Sequence, residues 1–372
     1  MQANATLTPG RSDNGNVRVP ALPLLLTMGD PCGIGPEILV RAFQSGAGAG
    51  SVAVADAAVM RRAAALLPER WSVACLASPR DWADCPARCV PVWEPPALRS
   101  AGSDGEALSS LPWGRVEARA GAAAAACIEA AVGCVQLGDA AAIVTAPLHK
   151  GALAAAGIGF PGHTEMLQAL AAPAGAPRPA VRMMLANDEL RVVLVTIHQS
   201  LRRAIDAVTH DAVLSTLQIT AASRPPLPGQ RWRIAVAGLN PHAGEGGLFG
   251  DEEQRVIGPA VAAAQAQGLD VHGPFAPDTV FMRARRGEFD VVVAMTHDHG
   301  LIPVKYLGVE RGVNVTLGLP FVRTSPDHGT AFDIAGRGVA DASSLEAAIE
   351  WARRAIAPAV RPGLGSGVSA AS

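Results

Sequence analysis

Three histidines each follow an apolar, β-branched run of the chain. His198 follows Val-Val-Leu-Val-Thr-Ile, His242 follows Ile-Ala-Val-Ala-Gly-Leu-Asn-Pro, and His297 follows Val-Val-Val-Ala-Met-Thr. The carboxyl ends of parallel strands form the ligand crevice of an open α/β sheet, so the three imidazoles are expected at one site. Such a set can bind a divalent cation and leave positions open for a substrate, as catalytic metal sites do. Asp278 and Asp298 are candidates to orient a ring N–H or to act in catalysis.

A single histidine beside a loop is more often a hydrogen-bonded surface residue than a metal ligand. Three histidines at equivalent places in successive strand-and-loop units favour the metal site over that simpler interpretation.

A second set of polar residues is typical of an anion site. The segment Gly-His-Thr-Glu at 162–165 supplies His163 and Thr164, while Lys305, Asn314 and Arg323 lie near other apolar runs. Together these side chains can hold a phosphate or a carboxylate. The alternative is a set of solvated loop charges.

Lysine is almost absent from the chain. Only Lys150 and Lys305 occur among 31 Lys and Arg residues, and Tyr306 is the single tyrosine. An ammonium is a compact charge whose pKa can shift, whereas a guanidinium stays protonated, so the two lysines mark places where arginine would not serve. Both follow predicted strands, which favours function over chance.

The elements that must position these residues alternate along the chain. Apolar runs predict buried strands and Ala-rich runs predict helices, which together indicate a parallel sheet covered by helices. The predicted strands are Leu22–Thr27, Ala141–Thr145, Leu190–Thr196, Arg233–Gly238, Asp290–Met295 and Val313–Leu317, and the predicted helices are Pro36–Gln44, Arg115–Leu137, Gly151–Ala156 and Asp251–Gln267. Residues 1–20 are predicted to be disordered, Ser223–Gln230 to form a loop, and residues 361–372 to form a flexible tail.

The composition is that of a large folded protein without a strongly charged partner. The 372 residues are 49% hydrophobic and 17% charged, enough to bury a core without disulfides or a structural metal. A net charge of −2 argues against nucleic-acid and anionic-membrane binding. The cysteines lack zinc-site spacing, and neither an export signal nor a membrane span is predicted, so we expect a cytoplasmic protein with reduced thiols.

Ordered motifs from about Leu26 to Gly338 resemble those of the 4-hydroxythreonine-4-phosphate dehydrogenase family of vitamin B6 biosynthesis. They are G-D-P-x-G-I-G-P-E, T-A-P-x-x-K, P-G-H-T-E, G-L-N-P-H-A-G-E-G-G, P-D-T-V-F, H-D-x-G, G-V-N-V-T-L-G-L-P-F-V-R-T-S and D-H-G-T-A-F-D-I-A-G. The resemblance implies an isocitrate/isopropylmalate dehydrogenase-like fold, with two α/β/α domains and the active-site cleft between them. The first domain would be discontinuous, from 21–140 and 300–360, and the second, 141–299, would carry the dimer contacts and the metal site.

The resemblance also assigns roles to residues. It implies a homodimer that binds one divalent ion per site (Zn, Mg, Co or Mn), with ligands from both subunits at His198, His242 and His297. It assigns substrate contacts to His163, Thr164, Lys305, Asn314 and Arg323. Related dehydrogenases bind NAD through a similar H-G-[ST]-A-x-D-I-A-G loop, which assigns NAD or NADP contacts to His328, Gly329, Thr330, Ala331 and Asp333.

The implied reaction is oxidation of 4-phosphooxy-L-threonine to 2-amino-3-oxo-4-phosphooxybutanoate, which loses CO2 to give 3-amino-2-oxopropyl phosphate. Lys305, and Asp278 acting through water, are alternatives for the proton acceptor. Two departures from the family pattern bear on the substrate. His299 stands where the family commonly has glutamine, and the Met-Gly-Asp-Pro turn occurs in a paralogous branch that acts on threonate or erythronate 4-phosphate.

Two alternatives of other classes remain at the level of the sequence. A three-histidine metal hydrolase would place water in the open coordination position, and a non-catalytic protein would simply bind a phosphorylated sugar acid. The hydrolase leaves the 328–338 loop unexplained, and the binding protein does not need three histidines poised for a metal.

Overall fold

The computed structural model describes residues 22–101, 107–173, 175–223 and 231–357. The predicted disordered segment, the predicted flexible tail and most of the predicted Pro-rich loop lie outside these ranges.

One mixed sheet runs through the described part of the chain. Its strands are β1 (Leu24–Thr27), β2 (Ser51–Val54), β3 (Ser72–Leu76), β4 (Cys89–Trp93), β5 (Ala142–Thr145), β6 (Arg182–Ala186), β7 (Arg191–Leu194), β8 (Ile234–Ala237), β9 (Val271–Phe275), β10 (Val291–Ala294), β11 (Val313–Leu317) and β12 (Val322–Pro326). Their order across the sheet is β3-β4-β2-β1-β5-β12-β11-β6-β7-β10-β8-β9.

The sheet has two parallel parts joined by antiparallel strands. The first part consists of the parallel strands β3, β4, β2, β1, β5 and β12. The second consists of the parallel strands β7, β10, β8 and β9. Between them β11 is antiparallel to both β12 and β6, and β6 is antiparallel to β7. The two parallel parts therefore run in opposite directions, and the expectation of a purely parallel sheet is wrong at this junction.

Helices cover both faces of the sheet. They are α1 (Gly35–Gln44), α2 (Ala57–Ala64), α3 (Pro96–Ala101), α4 (Ala118–Leu137), α5 (Lys150–Ala155), α6 (His163–Ala171), α7 (Leu201–Ala207), α8 (His210–Ala222), α9 (Gly258–Ala266), α10 (Val280–Arg285), α11 (His297–Tyr306) and α12 (Ser343–Ile356). Successive residues of one strand point to opposite faces of the sheet and enter different apolar clusters, as Val192 and Val193 of β7 do. Burial on both faces explains why the strands appear in the sequence as continuous apolar runs.

Helix α4 is long and apolar enough to pass a composition test for a membrane span. More than half of it is buried inside the protein, where it packs against α5, α6 and β1. Its cysteines Cys127 and Cys134 are buried, as their helical spacing predicts. It ends at Gly138, whose φ of +77° is the left-handed conformation that glycine supplies at helix ends.

All six predicted strands and the first three predicted helices are present within a few residues of their expected bounds. The fourth predicted helix, Asp251–Gln267, is instead a π-helical turn at Glu253–Ile257 followed by α9. The α/β class is confirmed. The predicted domain boundaries remain a prediction, although β5 pairs with β1 and β12 in the first parallel part.

Candidate active site

A cavity of about 500 Å³ is lined by residues from both parts of the sheet. The predicted site residues that line it are His163, Thr164, His198, His297, Lys305, Asn314, Arg323, His328 and Gly329. The structure thus brings together the predicted anion-binding set, two of the three predicted metal ligands and the beginning of the predicted dinucleotide loop. We call this space the shared cavity.

Arg323 is a buried cation in the wall of the shared cavity. Its side chain projects from β12 and is 3% exposed. It donates Nη1–H to Oγ1 of Thr316 at 2.9 Å and Nη2–H to Oγ1 of Thr145 at 2.6 Å, while Nε has no hydrogen-bond partner. Within the described ranges no carboxylate forms an ion pair with it. Burial lowers the pKa of Arg323 to about 10, so the group remains a cation at neutral pH.

His163 lies beside Arg323 at the first turn of α6. Its ring donates a hydrogen bond to the carbonyl of Ala146, while Nε2 is buried without a partner. Burial, and then the charge of Arg323, hold the pKa of His163 well below its ordinary value, so the imidazole is neutral. Because its proton is on the other nitrogen, Nε2 presents a lone pair that fits a hydroxyl or ammonium group of a ligand.

The two lysines both line the shared cavity but differ in their partners. Lys305 forms an ion pair with Asp327, with Nζ 2.8 Å from Oδ2. Lys150 is the first residue of α5, and no carboxylate of the described residues lies within ion-pair distance of it. Lys305 is therefore held in place, whereas the Lys150 ammonium is free to meet a ligand.

His198 and His297, two of the three predicted metal ligands, lie together in the wall of the shared cavity. Their ring centroids are 5.7 Å apart, and Nδ1 of His297 is 2.7 Å from Oδ1 of Asp298. Burial, the charge of Lys150 and the neighbouring His297 lower the pKa of His198. A neutral imidazole is the form that binds metal ions, and an adjacent carboxylate commonly orients such a ring.

His242 does not join this pair within one chain. With Asp278 and His299 it lines a separate cavity of about 390 Å³, while His299 also lines a cavity of about 450 Å³ beside His198 and His297. Across the described residues, no three His, Cys, Asp or Glu side chains are close enough together to hold a metal ion. The expectation from strand positions that all three imidazoles meet in one crevice is therefore not met within one chain. The arrangement implied by the resemblance, with ligands from both subunits, remains a prediction.

The loop that carries His242 has an unusual backbone. Five successive residues from His242 to Gly246 have positive φ, between +44° and +81°. The buried carboxylate of Glu253 accepts the N–H groups of Leu239 at 2.7 Å and Asn240 at 2.8 Å, just before this segment. Left-handed backbone is costly for residues with a side chain and clusters at functional sites. Glu253 therefore fixes the start of a strained loop.

The predicted dinucleotide loop packs against the Gly-Asp-Pro turn that follows β1. Ile34 donates its N–H to the carbonyl of Thr330 at 3.0 Å. Phe332 stacks on His149 with ring centroids 4.8 Å apart and an angle of 13° between their planes. Ala331 has a φ of +43°, and Asp333 is exposed. Thr330, Ala331 and Asp333 therefore lie next to the shared cavity rather than in its wall.

Sequence reasoning missed several residues that shape the site. Thr145 and Thr316 hold Arg323, and their only signal was a position at the end of an apolar run. Lys150 was noted for its rarity but was not assigned to the site. Glu253 gave no signal, because its role depends on a loop conformation that the sequence does not reveal.

Comparison with known proteins shows the family to which the chain belongs. Residues 48–352 match the family model described as pyridoxal phosphate biosynthetic protein PdxA. The chain belongs to this family. The 4-hydroxythreonine-4-phosphate dehydrogenase of Beijerinckia indica subsp. indica is 52% identical to it, covering 90% of this chain and 96% of that protein. The D-threonate 4-phosphate dehydrogenase of Pectobacterium atrosepticum is 42% identical, covering 88% and 98% respectively.

A solved PdxA-family structure supports the fold as well. The 1.25 Å crystal structure of a 4-hydroxythreonine-4-phosphate dehydrogenase from Klebsiella pneumoniae aligns with a TM-score of 0.79 at 42% identity, covering 91% of this chain and 99% of that one. The relationship confirms the predicted family and makes this protein an oxidoreductase. It does not support the metal hydrolase or the non-catalytic binding protein.

Proposed function

We propose that this PdxA-family enzyme oxidises C3 of 4-phosphooxy-L-threonine with NAD or NADP as the oxidant and then releases the carboxyl group as CO2. The observation that carries the proposal is the buried, unpaired guanidinium of Arg323 in the shared cavity. A buried cation is unfavourable unless a ligand supplies the counter-charge, and phosphate oxygens match a guanidinium. The relatives above are named for substrates that carry a 4-phosphate.

The residues present fit a divalent cation. His198 and His297 offer two imidazoles in one cavity, and His242 would supply a third from a second copy of the chain in a homodimer. A cation bound there supplies Lewis-acid chemistry, which lowers the pKa of a hydroxyl group and stabilises negative charge that develops on oxygen. Three imidazoles suit zinc, cobalt or manganese, and magnesium prefers oxygen ligands.

The place where the predicted dinucleotide loop packs against the Gly-Asp-Pro turn after β1 fits a dinucleotide. Oδ2 of Asp30 and Oγ1 of Thr27 are buried there without hydrogen-bond partners, and a Cβ added to Gly329 would meet open space. His328, Gly329, Thr330, Ala331 and Asp333 would hold the cofactor, which accepts a hydride when bound.

The chain's own residues then bind and orient the substrate. Arg323, with Thr164 and Asn314 nearby, holds the phosphate and fixes the position of the reacting carbon. Nε2 of His163 accepts a hydrogen bond from the amino or hydroxyl group next to that carbon. Lys305, oriented by Asp327, binds an anionic oxygen. Asp278 would arrive with His242 from the second copy, because both line one cavity, and it is the candidate proton acceptor.

D-Threonate 4-phosphate is the second candidate substrate. The relatives named for it are 42–43% identical to this chain, close to several of those named for the amino acid. A neutral His163 accepts equally well from a hydroxyl or an ammonium group, so this residue does not separate the two.

Absorbance of NADH tests the proposal directly. Purified protein with NAD, a divalent metal and 4-phosphooxy-L-threonine should produce NADH and CO2 in equal amounts. Turnover of D-threonate 4-phosphate alone would keep the chemistry and change the substrate. No turnover of either compound with NAD or NADP would refute the proposed function. Fractionation of the native cells should place the enzyme in the cytoplasm.

A further inference from the structure

Lys150 lines the shared cavity but has no role in the proposed reaction described so far. It is one of two lysines in a chain of 372 residues in which the other basic positions are arginine. Both lysines line the same cavity, at positions far apart in sequence. A guanidinium would supply the same charge at either place, but it does not release its proton near neutral pH. The rarity of lysine therefore points to a position that needs a mobile proton.

Lys150 also lies between the two halves of the site. Its Cε would be 3.6 Å from a Cβ placed on Gly162, the residue before His163, and Oε2 of Glu165 lies at the same distance from that point. Its charge acts on His198 in the other half. A substrate held by its phosphate at Arg323, with its reacting carbons toward His198, would pass this ammonium.

The proposed reaction also requires a proton donor. Loss of CO2 breaks the C1–C2 bond and leaves an electron pair on C2, in the enolate of the new ketone. That pair must take up a proton before product leaves. The requirement is the same for the amino acid and for the sugar acid.

Four of the other polar groups that line the cavity are poor donors of that proton. His163 already donates its single ring proton to Ala146, and Arg323 keeps its protons. Lys305 is paired with Asp327. His328 has Nδ1 3.0 Å from the carbonyl of Gly329 and is engaged there.

We propose that Lys150 is a catalytic residue that protonates C2 of the substrate after decarboxylation. The Nζ–H bond breaks, a C2–H bond forms, and the neutral amine regains its proton from water. This inference rests on the proposed function, since it assumes oxidation at C3 and loss of CO2.

The test compares Lys150→Arg and Lys150→Ala with the wild-type enzyme. Removing a general acid typically lowers kcat about 10²- to 10⁴-fold, and we expect that loss in both variants with little change in KM for substrate. Methylamine should restore turnover to Lys150→Ala, where it can occupy the space left, but not to Lys150→Arg. Lys305→Arg is the matched comparison. As a charge that binds the substrate, it should raise KM more than it lowers kcat.

An isotope experiment separates proton donation from a structural role. In D2O the wild-type enzyme should place one deuterium at a single enantiotopic position of C2, detected after rapid reduction of the product. With Lys150→Arg the enol should be protonated in solution, and the deuterium should be distributed over both positions. The Tm and far-UV circular dichroism of Lys150→Ala should match those of the wild-type enzyme, which confirms an intact fold.

The outcomes separate the two proposals. Failure of the wild-type enzyme to turn over any phosphorylated substrate overturns the proposed function and this inference with it. Turnover by the wild-type enzyme, together with a Lys150→Arg variant that keeps its kcat and its stereospecific labelling, overturns the assignment of Lys150 alone.

Discussion

Glu253 stabilises the strained loop that carries His242, and Glu253→Gln tests how much. Oε1 of Glu253 accepts two backbone N–H groups, and Oε2 accepts Nδ2–H of Asn240 at 2.9 Å. A glutamine keeps one acceptor oxygen but loses the charge, and its NH2 group then faces the NH2 group of Asn240. Hydrogen bonds to a charged group contribute about 1.5–3 kcal/mol each, against about 0.5–1.5 for neutral ones. Weakening two and losing one would cost about 3.5–6 kcal/mol. Since a neutral amide is cheaper to bury than a carboxylate, we expect a net fall in the free energy of unfolding of about 3 kcal/mol.

The backbone strain in the loop is of similar size. His242, Ala243 and Glu245 have φ values of +54°, +54° and +44°. Left-handed backbone costs about 1–2 kcal/mol for each residue with a side chain, or roughly 3–6 kcal/mol for the three. Because the loss expected from Glu253→Gln is comparable with this strain, the loop should relax and His242 should move. Metal affinity should fall along with stability.

Thermal unfolding and metal titration measure the two effects. At about 2–4 °C per kcal/mol for a large domain, Glu253→Gln should lower Tm by roughly 6–12 °C. The matched control is Glu252→Gln. Glu252 accepts a hydrogen bond from the side chain of Asn240 at 2.6 Å, which a glutamine oxygen can also accept, so this variant should change Tm little. The d–d absorption of added Co²⁺ should show weaker binding in Glu253→Gln and in His242→Ala. Equal Tm values for the two glutamine variants would refute the role given to Glu253.

The other predictions concern a binding site, a turn and a titration. Arg323→Met should abolish the rise in Tm caused by phosphate while leaving the Tm of the free protein unchanged or higher, because it removes a buried charge without a counter-ion. A free-protein Tm that falls sharply would instead make Arg323 structural. Gly29→Ala should destabilise by more than about 2 kcal/mol, since its φ is +66° and the new Cβ would lie 2.2 Å from the carbonyl oxygen of Pro147. Gly46→Ala, at φ +86° but in open space, should cost only about 1–2 kcal/mol by urea unfolding. Because the pKa of His163 is lowered in the folded protein, this residue takes up a proton at a higher pH in the unfolded chain than in the folded one. The free energy of unfolding should therefore decline below about pH 6.5, by up to ~1.4 kcal/mol per pH unit. Denaturation of His163→Asn between pH 5 and 7 should show a smaller decline, and an equal slope would exclude this contribution.

The sequence predicted the strands best where both faces are buried. Runs such as Val291–Ala294 are apolar throughout, and periodicity identifies them without tertiary information. It missed the other strands of the described residues, β2, β3, β4, β6, β9 and β12, and β2 is missed although it is buried throughout. In β6 and β12, which flank β11 at the antiparallel junction, Arg182 and Arg323 interrupt the apolar pattern. Those arginines find partners only in the folded protein, Arg182 with Thr216 and Arg323 with Thr316.

The candidate site shows the same division between local and long-range information. Residue types and positions after strands were enough to group His198 with His297, since both follow neighbouring strands of one parallel part. They could not show that His242, which follows β8 next to β10, would be turned into a different cavity by a left-handed loop. Strand order is a property of the hydrophobic pattern, whereas the direction of a side chain after the strand depends on a few backbone dihedral angles.

The separation of His242 from His198 and His297 leads to a complementation test of the shared site. If each metal site takes His198 and His297 from one subunit and His242 from its partner, His198→Ala and His242→Ala are each inactive alone. In a mixed dimer, one of the two sites combines the intact pair of the His242→Ala chain with the intact His242 of the His198→Ala chain. Random exchange of subunits makes half of the dimers mixed, so activity should return to about a quarter of the wild-type value. A mixture of His198→Ala with His297→Ala is the control and should stay inactive, since both losses fall in the same half of the site. Recovery in the control, or none in the first mixture despite demonstrated exchange, would contradict a site built from two chains.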